Sequence, residues 1–201
     1  GFRAPGARLD GATFRDAGLP GADLSSASLR KAVLDGAVLS GATLDEAILS
    51  DASLVGVEFD GARARKAIFH RAVMEGFRGA EALDLSESDF SQVRANGSIW
   101  SGARLRKALF PWAHLEEADF ADADLEGADF WAAHLRSARF ERTSLIDARL
   151  ARADGFEMNF EEAELLRTDL RGGSFFAAEF LGARLTDALA SGADLGDTKH
   201  G

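Results

Sequence analysis

The sequence predicts a four-sided, all-β solenoid. Three observations point to it: a large apolar residue at every fifth position, glycine recurring two places after it, and matching side chains at every twentieth. The large residue, position i, is Leu or Phe in 31 of 37 units. The units run from Leu9 to Met74 and, after one extra residue, from Leu85 to Leu195. Ala stands at i−2 in 28 of them, as at Ala7, Ala118 and Ala128, and i−1 is usually polar. A five-residue step rotates a helical position by roughly 140°, so no helix face collects these residues. Nor does a conventional strand, because the apolar positions alternate once and then skip two.

Three extended residues followed by a two-residue corner satisfy the pattern. Positions i−2 and i then point to one side, i−1 to the other, and i+1 and i+2 turn the chain. Gly11, Gly21, Gly36, Gly102, Gly127 and Gly182 fall at i+2, where a type II turn requires positive φ. Four corners close one coil, so residues twenty apart should stack. Leu85, Leu105, Leu125, Leu145, Leu165 and Leu185 form one column, and Trp100, Phe120, Phe140, Phe160 and Phe180 another. A third column begins Phe90, Phe110, Phe130 and continues with Leu150 and Leu170.

Two irregularities stand out. The phase slips by one residue within 75–84, where a bulge or short protruding loop is expected, a functional loop being the alternative. Gly155 occupies an interior position and leaves a void for Phe156 or Met158 to fill.

The 201 residues fit one domain, 1–201, with repeats over about 7–197. With no cysteine there is no disulfide, thiolate metal site or cysteine nucleophile. Lys plus Arg is 23 against 33 Asp plus Glu, a net charge of −10, which argues against nucleic acid or an anionic membrane as direct partner. No apolar run approaches the roughly 18 residues of a membrane span, and no secretion signal opens the sequence, so the bacterial cytoplasm is the expected compartment. The opening Gly1-Phe2-Arg3 lacks Met and reads as a piece of something longer.

Units such as Ala22-Asp23-Leu24, Ala123-Asp124-Leu125 and Ala193-Asp194-Leu195 make the sequence similar to the pentapeptide-repeat family. That resemblance implies a right-handed quadrilateral β-helix of about nine coils, a rod on the order of 44 Å long at the inter-strand spacing.

The residues point to no reaction. His70, His114, His134 and His200 are the four histidines; His114 and His134 are twenty apart and should stack, with Asp154 next in the row. Two imidazoles alone make a poor metal site, so no metal or cofactor is expected. Glu116-Glu117 and Glu161-Glu162 fall on convex corners without a cleft, and neither a phosphate-cradling glycine loop nor a dinucleotide fingerprint is present. The protein is expected not to be an enzyme.

Two surface features stand above the background. The first is an acidic belt of Glu116, Glu117, Asp119, Asp122, Asp124, Glu126 and Asp129 without Lys or Arg, which Asp simply favoured at i−1 would also explain. The second is apolar side chains in outward slots: Trp112 and Trp131 at one corner, Phe156 and Phe176 at the next, and Ile146 with Leu166 at another. Such a patch usually marks an interface. In the N-terminal half the main outward apolar residues are expected to be Val55 and Phe77, so binding is expected on the C-terminal half.

The first functional reading is a non-catalytic scaffold or adaptor that binds another protein or a second copy of itself. The family resemblance adds that such arrays are appended to larger bacterial proteins, including secretion-system accessory proteins. The alternative it implies is DNA mimicry: acidic members occupy DNA gyrase or topoisomerase IV, type II topoisomerases, and confer fluoroquinolone resistance. Matching duplex DNA over 44 Å needs roughly 26 charges, well above the −10 here. The mimics also carry a dimerising C-terminal helix, which is not expected within these residues because the repeats run to Leu195.

Overall fold

The computed structural model describes residues 1–79 and 82–199. The chain winds as a right-handed four-sided β-helix in which each i−1 residue forms a parallel bridge to its counterpart one coil on. The first wall runs from Arg3 to Arg184, the second from Arg8 to Leu189, the third from Thr13 to Asp194 and the fourth from Gly18 to Lys199.

One unit shows how the backbone is satisfied. Leu29 N–H donates to Ile48 C=O (2.7 Å), Ser28 N–H to Ala7 C=O (2.8 Å) and Lys31 N–H to Ser50 C=O (3.0 Å), while Ala32 N–H closes the turn on Leu29 C=O (3.1 Å). The fifth N–H, at i+1, has no main-chain partner in this scheme, and a buried or half-buried donor must find another acceptor. Asp at i−1 often supplies it: Asp119 accepts from Ala121 N–H at 2.9 Å and Asp129 from Trp131 N–H at 2.8 Å. The acid so common at i−1 therefore builds corners before it does anything else.

The third turn residue has positive φ at Gly and non-Gly alike, from Gly11 (68°) to Trp112 (55°) and Arg152 (62°). Non-glycine residues pay about 1–2 kcal/mol for that conformation. The repeating inter-coil bonds hold them there.

Inside, the i and i−2 side chains are buried from Leu24 to Phe175. Two opposite walls carry aromatic ladders. On the second, Phe69, Phe90, Phe110 and Phe130 stack with centroids 4.8, 4.8 and 4.7 Å apart. On the fourth, Trp100, Phe120 and Phe140 follow at 5.8 and 4.9 Å. The ladders meet edge-to-face, as at Phe110–Phe120 (5.9 Å, 82°), the geometry the ring quadrupoles favour. Trp100 Nε1–H donates to Ser98 Oγ, so the large indole leaves no orphan donor in the core.

The irregularities resolve by exchange of volume. Bridge spacing changes from twenty to twenty-one residues between Glu58↔Arg78 and Arg63↔Asp84, then returns to twenty at Asp84↔Arg104. The extra residue thus enters at the corner between the fourth and first walls. Ala80 and Glu81, within the expected loop, lie outside the described residues. Phe77 does not point outward: it is 0% exposed, in the i−2 slot ahead of Gly79. A Cβ on Gly79 would lie 2.8 Å from Phe77 Cζ, so the glycine cedes its interior space to the ring. The sequence reading misassigned Phe77 because it did not carry the five-residue phase through 79 before the slip. Gly155 behaves likewise: Met158 and Phe175, not Phe156, fill its void, their atoms 2.5 and 2.7 Å from where a Cβ would stand.

Candidate functional site

With the interior accounted for, any chemistry must lie on the outside. Among the described residues no group of three or more His, Asp or Glu could hold a metal ion, and no helix is long and apolar enough to cross a membrane. His114 and His134 stack at 4.6 Å on the third wall, with Arg94 preceding them and Asp154 following. His200 lies outside the described residues.

The acidic belt girdles a single coil, crossing three walls and the corners between them. Five of its seven acids are matched by arginines. Asp119 pairs with Arg139 (3.3 Å) and Asp129 with Arg149 (3.4 Å), while Arg106 reaches both Asp124 (3.3 Å) and Glu126 (2.6 Å). Asp122 takes both arms of Arg142 at 2.7 Å, a hydrogen-bonded pairing that holds its carboxyl below the usual range. Glu116 accepts from Asn96 Nδ2, and Glu117 has no partner among the described residues. Asp119, Asp124 and Asp129 also accept corner N–H groups. The arginines that match the belt stand a coil away, eighteen or twenty residues off in sequence.

The outward apolar residues fall on three corners. Trp112 is 48% exposed and meets the half-buried Trp131 edge-to-face at 4.6 Å, at the corner between the second and third walls. Phe156 (half-buried) and Phe176 (36% exposed) stack at 6.1 Å on the corner between the third and fourth walls. Ile146 and Leu166 are half-buried on the corner between the first and second. The two aromatic corners flank the histidine row, so the structure brings those six rings to one side of the rod; Ile146 and Leu166 stand apart. Val55 is 40% exposed, on the same corner as Phe156 but several coils away.

What sequence reading missed is the arginine around the rings. Arg149 and Arg152 lie over Trp131 at 5.5 and 6.0 Å, and Arg136 lies over Phe156 at 4.8 Å. Beside Trp131 a shallow hollow of about 390 Å³ is lined by Arg149, Arg152, Arg171, Asp169 and Ala151. The signal was available in sequence, since Arg152 follows Trp131 by about one coil.

This geometry defines a class before it defines a family: a parallel β-solenoid with a five-residue unit, whose distinguishing residues lie on its outer corners. The family described as pentapeptide repeats matches in eight copies, over residues 7–44, 32–71, 84–122 and 123–154. The chain belongs to the pentapeptide-repeat family. Among solved structures it is similar to HetL, a pentapeptide repeat protein involved in heterocyst differentiation regulation from the cyanobacterium Nostoc sp. strain PCC 7120. Identity is 28% over 97% of this chain and 89% of that one, with a TM-score of 0.43. It is also similar to trypsin-treated QnrB1, a plasmid-mediated fluoroquinolone resistance protein, at 19% identity over 100% and 90% of the two chains, TM-score 0.49. Rfr23 from the cyanobacterium Cyanothece 51142 follows at 20% identity over 74% and 91%, TM-score 0.36. No curated relative matches in sequence.

Proposed function

We propose that this chain is a non-catalytic scaffold that engages another protein, or a second copy of itself, through the outer surface of its C-terminal half. The observation that carries this reading is the Trp112–Trp131 pair, exposed at Trp112, beside the Phe156–Phe176 pair. The fold needs none of these four side chains for its interior column, which is filled at their units by Phe110, Phe130 and Phe175 and, at Gly155, by Met158 with Phe175. Aromatic groups gathered on one side of a rod are the usual anchors of a protein interface.

The test compares the whole chain with Trp131→Ala and Phe176→Ala in capture of a partner and in oligomer mass. The variants should lose the partner or change mass while keeping the β-sheet circular dichroism signal; unchanged capture and mass would refute the reading.

Occupation of a type II topoisomerase as a DNA mimic is the weaker reading. The belt that would carry it is matched to arginine at five of seven acids, and three of those acids are committed to corner N–H groups. Inhibition of gyrase supercoiling that fades with salt and disappears on neutralising Glu116, Asp119, Asp124 and Asp129 would reinstate it.

A further inference from the structure

The charge of −10 is unevenly spread over the four corners. From His70 to Gly192, the corner between the second and third walls reads His70-Arg71, Ser91-Gln92, Pro111-Trp112, Trp131-Ala132, Ala151-Arg152, Arg171-Gly172 and Ser191-Gly192, without one Asp or Glu. Over the same coils the next corner carries Glu75, Glu116, Glu117, Glu157 and Asp197 against Arg136 alone. An acid-free edge on an acidic rod, with two tryptophans at its middle, is not what corner chemistry requires, because acids are accepted at the other three.

The cations on this edge differ in how far they are committed. Arg71 is held by both oxygens of Asp51, at 2.7 and 2.9 Å, and Arg171 by both of Asp169, at 2.8 Å each. Arg149 on the adjoining wall pairs with Asp129 at 3.4 Å. Arg152 makes no ion pair among the described residues; its guanidinium lies over Trp131, and the residue lines the hollow. A planar guanidinium lying over an aromatic face keeps its N–H fork free to take a carboxylate in two parallel hydrogen bonds.

We infer that this edge binds an acidic, extended peptide segment of a partner protein, laid along the rod axis with carboxylates on Arg152 and its neighbours and its backbone against Trp112 and Trp131. This rests on the interface reading above and names the chemistry of the partner. Arg71 and Arg171 lie five coils apart, about 24 Å at the inter-strand rise, which an extended segment of about seven residues spans. A nucleic acid fits less well, because its charge would extend beyond the edge onto the acidic corner that carries Glu116, Glu117 and Glu157. A second copy would have to bring one of its own acidic corners to the edge.

The test uses the full chain and three fluorescein-labelled probes: decaglutamate, decalysine and a single-stranded ten-nucleotide DNA, followed by anisotropy. Decaglutamate should bind saturably and weaken as salt rises. Its affinity should fall about ten-fold in a combined Arg71→Gln, Arg152→Gln, Arg171→Gln variant and about three-fold in Arg152→Gln, the size expected of charge-assisted contacts at a solvated edge. Arg167→Gln, an equal change of charge on the neighbouring corner, and Phe176→Ala should each leave the affinity within about two-fold. Absence of decaglutamate binding, preference for the oligonucleotide, or equal weakening by Arg167→Gln would overturn the inference. So would a dimer of the chain that the peptide disperses, since the edge would then belong to a second copy. If decaglutamate fails while Trp131→Ala still abolishes partner capture, the partner chemistry is wrong and the interface reading survives. If decaglutamate binds as described while capture is indifferent to Trp131→Ala and Phe176→Ala, the interface reading alone falls.

Discussion

The two halves of the rod share one backbone and differ in what fills and faces it. Between Leu24 and Leu54 every interior i position is Leu, and the corner that later carries Trp112 holds Arg30-Lys31 and Ser50-Asp51. From Phe59 onward two walls turn aromatic inside, and from Trp112 the outside turns aromatic as well. The difference teaches that interior and exterior vary independently. A coil accepts Leu or Phe within, with Gly79 and Gly155 absorbing the excess where i−2 is large, and none of this reaches the surface. From Leu24 to Phe175 the outward side chains come only from i−1, i+1 and i+2.

The sharpest way to probe the contrast is to empty one interior site in each half. Phe110→Ala, which cuts the aromatic ladder, should cost about 3–5 kcal/mol, and Leu34→Ala in the plain half should cost less, within the 2–5 kcal/mol typical of such truncations. Urea unfolding followed by circular dichroism reads both, and a larger loss at Leu34 would show that the aromatic walls are not the better packed. Next in size is overfilling. Gly155→Leu restores the repeat pattern yet should destabilise by about 1–3 kcal/mol, because Met158 and Phe175 already occupy the space; adding Met158→Ala should recover most of it. Recovery by Phe156→Ala instead would contradict the packing described.

Surface changes should be far milder. Trp112→Ala should shift stability by no more than about 0.5 kcal/mol while removing partner capture, whereas Val55→Ala should affect neither. The smallest effect separates two ways of holding an acid. In the C-terminal half Asp122 and Asp147 are held below the usual carboxylate range by hydrogen bonds from Arg142 and Arg167; in the N-terminal half Asp10 and Asp23 are lowered first by the hydroxyls of Ser28 and Ser25. A carboxyl depressed in the folded state stabilises above its unfolded pKa, and that contribution is lost as pH falls through the folded one. Acid should therefore lower the melting temperature below about pH 4. Added salt should raise the NMR-titrated pKa of Asp122 and Asp147 more than that of Asp10, while Asp23, which also pairs with Arg3 at 3.1 Å, should fall between. Uniform salt sensitivity would erase the distinction.

The fold was legible in the sequence because a strict period leaves little freedom. Once Leu105 and Leu125 are assigned to one column, inside and outside follow for nearly every residue. Phe77 escaped because one inserted residue breaks the count just where the side-chain sizes at i and i−2 exchange. The belt escaped in a different way. Seven acids close in sequence look like an uncompensated field, but a coil places Asp122 under Arg142 and Asp129 under Arg149, and inter-coil stacking shows the charge partly cancelled. The tryptophans were legible as a pair; the arginines lying over Trp131 and the missing acids on that edge emerged only when the corners were lined up along the axis.

Photo-cross-linking puts the one-edge account to its most direct test. A photoreactive phenylalanine analogue at Trp112 and, separately, at Glu162 on the diagonally opposite corner would each be irradiated with labelled decaglutamate. Cross-linking from position 112, abolished by unlabelled peptide and absent from 162, is the expected result. Equal yields from both positions would mean that the rod has no preferred edge.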